Sequence, residues 1–161
     1  MKMYLYHGSN VGVKNPRIIV SDRRLDFGTG FYLTSSYEQA ERWAKLTTAR
    51  RKSGRETITV FEIDKTILKQ LNVLFFDKPD VDWLRYAANN RNNENASDEY
   101  DIVIGPVAND RTAPVIAAYF AGIYDEKETL KRLLPQKLKD QYAFKTARAL
   151  KNLKLCEVIV K

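Results

Sequence analysis

The chain has 161 residues, 44% of them hydrophobic and 29% charged, which suits one globular domain (residues 1–161) with a single core. No stretch approaches the ~18 consecutive apolar residues of a membrane span, and the start turns polar at His7-Gly8, too soon for a signal peptide. The lone Cys156 excludes an internal disulfide, and with one histidine in the chain a zinc site of His and Cys is excluded too. The expected address is cytoplasmic, or exported without a cleavable signal, with no metal and no membrane partner. Lys and Arg number 27 against 20 Asp and Glu, a net charge of +7 that attracts polyanions such as nucleic acid and dinucleotide phosphates. The cations are scattered, from Arg23-Arg24 through Arg50-Arg51-Lys52 to Lys154, so the charge permits a nucleic-acid target without specifying one.

Residues 3–6 read as a short strand ending at a turn cluster, His7-Gly8-Ser9-Asn10, and 17–20 as a second extended piece after Pro16. Asp26-Phe27-Gly28-Thr29-Gly30 leads into a strand over 31–34. Ser35-Ser36-Tyr37-Glu38 has capping-box spacing, with Ser35 as the expected cap. The helix that follows carries Ala40, Trp43, Ala44 and Thr47 on one face and runs to about Arg51, before Gly54. Residues 57–63 are β-rich, Asp64 caps a short helix through Leu71, and 73–76 form a brief strand. A helix is expected over 80–90 with Trp83, Leu84, Tyr86 and Ala87 inward, and the Asn-rich run 89–95 as an exposed loop. Residues 101–107 are the clearest buried strand, and helices are predicted at 112–123 and 126–134, the second ending before Pro135. Residues 141–145 suit either a strand or a helix start, 146–153 a helix and 155–160 a closing strand with Cys156 packed inside. The sum is an α+β fold.

Two segments carry candidate chemistry. In Tyr6-His7-Gly8-Ser9, at a strand end, the only histidine offers a ring nitrogen to a ribose hydroxyl, and Gly8 lets its main chain approach a carboxamide. In 26–36, Gly28 and Gly30 allow close approach to a ligand. Tyr32 faces opposite to Phe31 and Leu33, where it can stack on a flat ring. Each segment also has a plain structural reading: a histidine beside a turn glycine, and a glycine hairpin with a core tyrosine.

Leu5-Tyr6-His7-Gly8-Ser9 followed by Gly28-Thr29-Gly30-Phe31-Tyr32-Leu33-Thr34, a serine-capped helix and Ala40 resembles the first two motifs of the ADP-ribosyltransferase superfamily. It is similar to the diphtheria-toxin and poly(ADP-ribose)-polymerase branch named for its His-Tyr-Glu triad. Over nearly its whole length the chain resembles a bacterial domain family of unknown function placed in that superfamily. The marks are Asp26 to Tyr32, Trp43-Ala44, Trp83 with Asn90-Arg91, Tyr100 to Val107, and Gln141. The resemblance implies a split sheet of short strands with flanking helices, and NAD as substrate. It implies His7 on the adenine-side ribose, Gly8 on the nicotinamide amide and Tyr32 on the nicotinamide face. Ser36 matches the family's serine, with Phe31 and Tyr37 as pocket walls and Tyr6, Ser9, Gly28 and Gly30 beside the ligand. His7 and Tyr32 are expected to line one cleft.

The third motif departs, for no glutamate has a convincing strand context. Gln141 is the best candidate: its amide can hold a 2′-hydroxyl but cannot act as a base or offset a cation as a carboxylate does. Asp101 and Asp110 compete for the role, although Asn109-Asp110 also reads as turn chemistry before a helix capped by Thr112. Arg91 and Arg111 are candidates for a pyrophosphate. The expected function is mono-ADP-ribosyl transfer to a protein or nucleic-acid acceptor, suiting a toxin or effector with a possible cognate antitoxin. A non-catalytic NAD or ADP-ribose-binding module and a basic nucleic-acid-binding domain are the alternatives.

Overall fold

Strand alternation sorts the apolar side chains onto opposite sheet faces. The computed structural model, which describes residues 1–20, 24–93 and 95–161, stacks those faces as helix, sheet, sheet and helices. One antiparallel sheet has the order β1-β3-β7, from β1 (Lys2–Ser9), β3 (Thr57–Asp64) and β7 (Lys154–Val160). The other has the order β2-β6-β5-β4, from β2 (Phe31–Leu33), β6 (Asp140–Phe144), β5 (Ile102–Pro106) and β4 (Val73–Phe75). Only the β4–β5 pair in it is parallel.

Odd-numbered residues of β1 and β3, among them Leu5, Phe61 and Ile63, meet Phe31, Leu33, Ile104 and Phe144 of the second sheet to form the core between the sheets. Even-numbered residues of the first sheet, Ile58 and Val60, pack under α1 (Tyr37–Arg51). Val103 and Ala143 cover the outer face of the second sheet. There they meet Trp83 and Leu84 of α2 (Val81–Asn92), Ile116 of α3 (Ala113–Phe120) and Leu133 of α4 (Glu126–Leu133). The one-turn α5 (Ala147–Leu150) adds Ala149 and Leu150 to the central core. The fold is α+β, with its strands split between two sheets.

Several expected boundaries move, each for a tertiary reason. β1 continues through His7 and Gly8 to Ser9, because Thr57 to Thr59 of β3 supply a pairing partner over what reads locally as a turn. Residues 17–20 form no strand, and among the described residues no main-chain bond ties them to a neighbouring segment. The helix cap is Ser36, whose hydroxyl accepts from the Gln39 amide, while Ser35 turns aside to bind Asp140. The Asn-rich run is not all loop: α2 extends to Asn92 and buries Asn90, and Glu94 lies outside the described residues. Residues 141–145 resolve as strand β6. The helix expected over 146–153 shrinks to α5, capped by Thr146. Thr112 holds the N-cap position of α3 as expected but its side chain makes no capping bond, and the Asn109 side chain closes the preceding turn by accepting from the Arg111 and Thr112 amides. Cys156 is exposed rather than packed inside, because β7 is an edge strand.

α1 seats directly on β1 at Gly8. A Cβ added there would lie 1.9 Å from the Ala40 carbonyl oxygen and 2.9 Å from the Ala44 nitrogen, so only hydrogen fits. Gly8→Ala must push the helix off the sheet and is expected to cost about 3 kcal/mol, the upper end for overpacking, read as a lowered urea midpoint. An unchanged midpoint would mean that the helix–strand spacing is looser than described.

Candidate active site

Where the two sheets approach, β1 and β2 are both edge strands. They are joined by one antiparallel bridge, in which Tyr6 N–H donates to the Thr34 carbonyl at 2.8 Å and Thr34 N–H to the Tyr6 carbonyl at 3.0 Å. In such a ladder the next mutually bonded pair would be Gly8 with Tyr32. It does not form. Instead His7 Nδ1 lies 2.7 Å from the Tyr32 carbonyl oxygen and takes it. Because main-chain groups of alternate strand residues point to the same edge, Gly8 N–H and C=O point into this seam as those of Tyr6 do. Among the described residues no main-chain bond to β2 receives them.

A carbonyl only accepts, so Nδ1 carries the ring proton and Nε2 keeps its lone pair. The imidazole stacks on Phe31, with centroids 4.2 Å apart and planes at 23°, and Phe31 in turn meets Phe61 edge-on. Part of the His7 surface stays exposed, yet the ring is set deep. Burial lowers its pKa from 6.5 to about 4; the Tyr32 carbonyl bond works the other way, and the nearby Arg51 charge adds to the lowering. His7 is therefore a neutral acceptor at physiological pH.

Tyr32 leaves β2 on the face opposite Phe31 and joins the outer core. Its hydroxyl donates to the Gly28 carbonyl at 2.7 Å and accepts from Phe27 N–H at 3.0 Å, so it clasps the glycine turn. Gly28 adopts φ +81°, a conformation that favours glycine. Burial raises the Tyr32 pKa, the Phe27 bond opposes this, and the Asp26 charge adds to the rise; the phenol stays protonated. The expectation that His7 and Tyr32 line one cleft is thus corrected: the two are joined through the Tyr32 carbonyl, but their rings lie on opposite faces of β2, His7 stacked on Phe31 on the inner side and Tyr32 packed in the outer core.

On the Tyr32 side lies a polar cluster. Arg91 Nε donates to Asp26 Oδ1 at 2.8 Å, and Asn90 Nδ2 to the Asp26 carbonyl at 3.0 Å. Gln141 Nε2 donates to the Pro106 carbonyl at 3.1 Å and lies 3.5 Å from Asp26 Oδ2. Gln141 is buried, with its amide nitrogen spent inside the protein. Asp26, next to the Gln141 amide, is the carboxylate that sequence reasoning passed over as a site residue. Its place directly before Phe27-Gly28 was the available signal. Arg91 is occupied by Asp26 and lies over the Phe120 ring at 5.7 Å.

The other candidates separate. Ser9 is buried on the His7 face, with its hydroxyl on Asn10. Ser36 caps α1, and Gly30 backs onto the Phe144 carbonyl. Phe31 supports the imidazole as a buried wall. Tyr6 and Tyr37 meet edge-on, 5.4 Å apart, on the opposite face of the first sheet from His7. They line an open cavity of about 510 Å3 with Tyr4, Cys156 and Glu157. A second cavity, of about 540 Å3, lies between residues 14–18 and the α5–β7 corner. Neither gathers His7, Gly8 and Tyr32, so the seam, not a cavity, is the candidate site. Asp101 is structural: against burial, which raises its pKa, bonds from Thr146, the Asn72 amide and Arg148 hold it below the usual carboxylate value. Asp110 is exposed and pairs with Arg42 at 2.6 Å, and Arg111 is exposed on the same turn. Among the described residues no group of three or more His, Cys, Asp or Glu could hold a metal. No helix among them is long and apolar enough to cross a membrane.

The lone imidazole makes its titration directly readable. The His7 ring resonance is expected to stay constant from pH 8 to 5 and to titrate near 4. Between 6.5 and 4 the unfolded chain binds the extra proton, so His7 lowers stability as pH falls through that window and adds no further loss below it. That slope should be missing from His7→Gln in urea melts; an NMR midpoint near 6.5 would contradict the buried, Nδ1-bonded ring.

A family model described as "Protein of unknown function (DUF3990)" matches residues 3–155. No curated protein matches the chain.

Proposed function

Starting from the fact that the chain belongs to this family of unknown function, we propose that it is an NAD-dependent mono-ADP-ribosyltransferase acting on a protein or nucleic-acid acceptor. The observation that carries this reading is the parted seam. Among the described residues, the His7–Tyr32 carbonyl bond leaves Gly8 N–H and C=O without partners on β2 and His7 Nε2 without a hydrogen bond. An adjacent donor and acceptor on one main chain complement a carboxamide, and a neutral imidazole nitrogen accepts from a ribose hydroxyl. The resemblance of these residues to the first two motifs of the ADP-ribosyltransferase superfamily points to the same ligand.

In the reaction the bond between nicotinamide nitrogen and ribose C1′ breaks, its electron pair leaving with neutral nicotinamide. An acceptor nucleophile then bonds to C1′ and releases a proton. The positive charge that develops on the ribose needs preorganised negative potential. Gln141 supplies none, and Asp26, whose Oδ2 lies 3.5 Å from the Gln141 amide nitrogen, is a carboxylate beside it that Arg91 already pairs with. That pairing, with the occupied amide of Gln141, favours a second reading: a module that binds NAD or ADP-ribose without cleaving it.

Labelled NAD with purified protein and lysate separates the two. Transfer predicts nicotinamide release and labelled acceptor, both reduced about 10- to 100-fold in His7→Ala, the loss expected for a ribose hydrogen bond. NAD binding without nicotinamide release identifies the binding module. Absence of NAD binding, with steeply salt-dependent RNA or DNA affinity, would overturn both in favour of a nucleic-acid-binding domain.

A further inference from the structure

On the face of the first sheet away from His7, α1 covers Gly8 and Ile58 and begins at Tyr37, which leans on Tyr6. Beyond that point the strand register sets one row of side chains across three strands, Tyr6 opposite Val60 and Val60 opposite Glu157. At ~4.8 Å per strand the row spans about 10 Å, with the short Val60 as its floor. Tyr4, 51% exposed, closes one end and Ile159 the other, around the open cavity of about 510 Å3.

The Tyr6 and Tyr37 rings stand at 87° to each other. A right-angled corner suits a compact group touched from two sides, whereas a flat base calls for parallel plates. Tyrosine faces attract cations, and the chain's own Lys161 shows this here: its Nζ lies 5.4 Å from the Tyr37 centroid while it pairs with Glu41. Across the row from Tyr6 stands Glu157, exposed and without an ion pair among the described residues. The other carboxylate on this face, Glu62, is paired with Lys2 at 3.7 Å and has Lys154 as its strand neighbour. In a chain of net charge +7, a carboxylate left open towards three tyrosines complements a cation.

We propose that this cavity binds an alkylammonium group, of the kind carried by choline or a methylated lysine. The tyrosine faces take the methyl groups and Glu157 offsets the charge. A bare ammonium is strongly hydrated, and methylation thins that hydration, so the methylated cation loses less on entering the cage. The site is independent of the seam, since it lies on the opposite face of the first sheet from His7.

NMR titration reads the site with choline and with the uncharged analogue in which carbon replaces the ammonium nitrogen. Choline is expected to shift the Tyr4, Tyr6 and Tyr37 ring resonances and to bind about fivefold more tightly than the analogue. Tyr4→Leu and Glu157→Gln, both at exposed positions, should each weaken choline about twofold or more, with the urea midpoint and the affinity for the analogue unchanged. A short peptide carrying trimethyllysine that binds more tightly than choline assigns the group to a protein segment; equal or weaker binding assigns it to a small molecule. No shift of the three rings by choline, equal binding of the analogue, or choline affinity unchanged in either variant overturns the proposal.

Discussion

The contact between the His7 imidazole and the Tyr32 carbonyl decides the architecture around the seam. One bridge, Tyr6 with Thr34, brings two edge strands into register, and continuing that ladder by one more pair would extend a single sheet across the molecule. A side chain takes the carbonyl that the next main-chain amide would have used, and the strands part. Three consequences come together: the sheet splits, Gly8 presents its main chain at the edge, and the ring is locked in one tautomer. Phe31 holds the imidazole in place from the core side, so the wedge is supported by packing as well as by its hydrogen bond.

The glycines around the seam serve different ends. Gly8 is required by the helix above it, since α1 leaves no room for a Cβ. Gly28 is required by its backbone angle, and Tyr32 holds that turn with both donor and acceptor functions of its hydroxyl. Tyr32 therefore works twice, its carbonyl positioning His7 and its phenol fixing the loop that delivers Asp26 to Arg91 and Gln141. A change at this one residue reaches both faces of β2.

Much of the fold was legible locally. Asp64 caps the short helix it precedes, β5 reads as buried and is buried at every position, and α1 ends at Arg51 as its pattern requires. Of the candidate site, the His7-Gly8 and Gly28-to-Tyr32 segments were visible because glycine, a lone histidine and alternating aromatics leave a mark in the sequence. Asp26 was less visible, since a carboxylate before a turn looks like ordinary turn chemistry.

By itself the sequence determined what depends on near neighbours: most element types, the Asp64 cap, the glycine turn, the alternation that puts Phe31 and Tyr32 on opposite faces, and the charge. Tertiary structure decided what depends on distant partners. It made His7-Gly8-Ser9 strand rather than turn, left residues 17–20 unpaired, exposed Cys156 on an edge and tied Gln141 to Pro106. It also placed the two rings on opposite faces of β2 instead of in one cleft. The physical reason is that main-chain hydrogen bonds and burial are settled by whichever segment arrives alongside, and a local sequence window does not contain that segment.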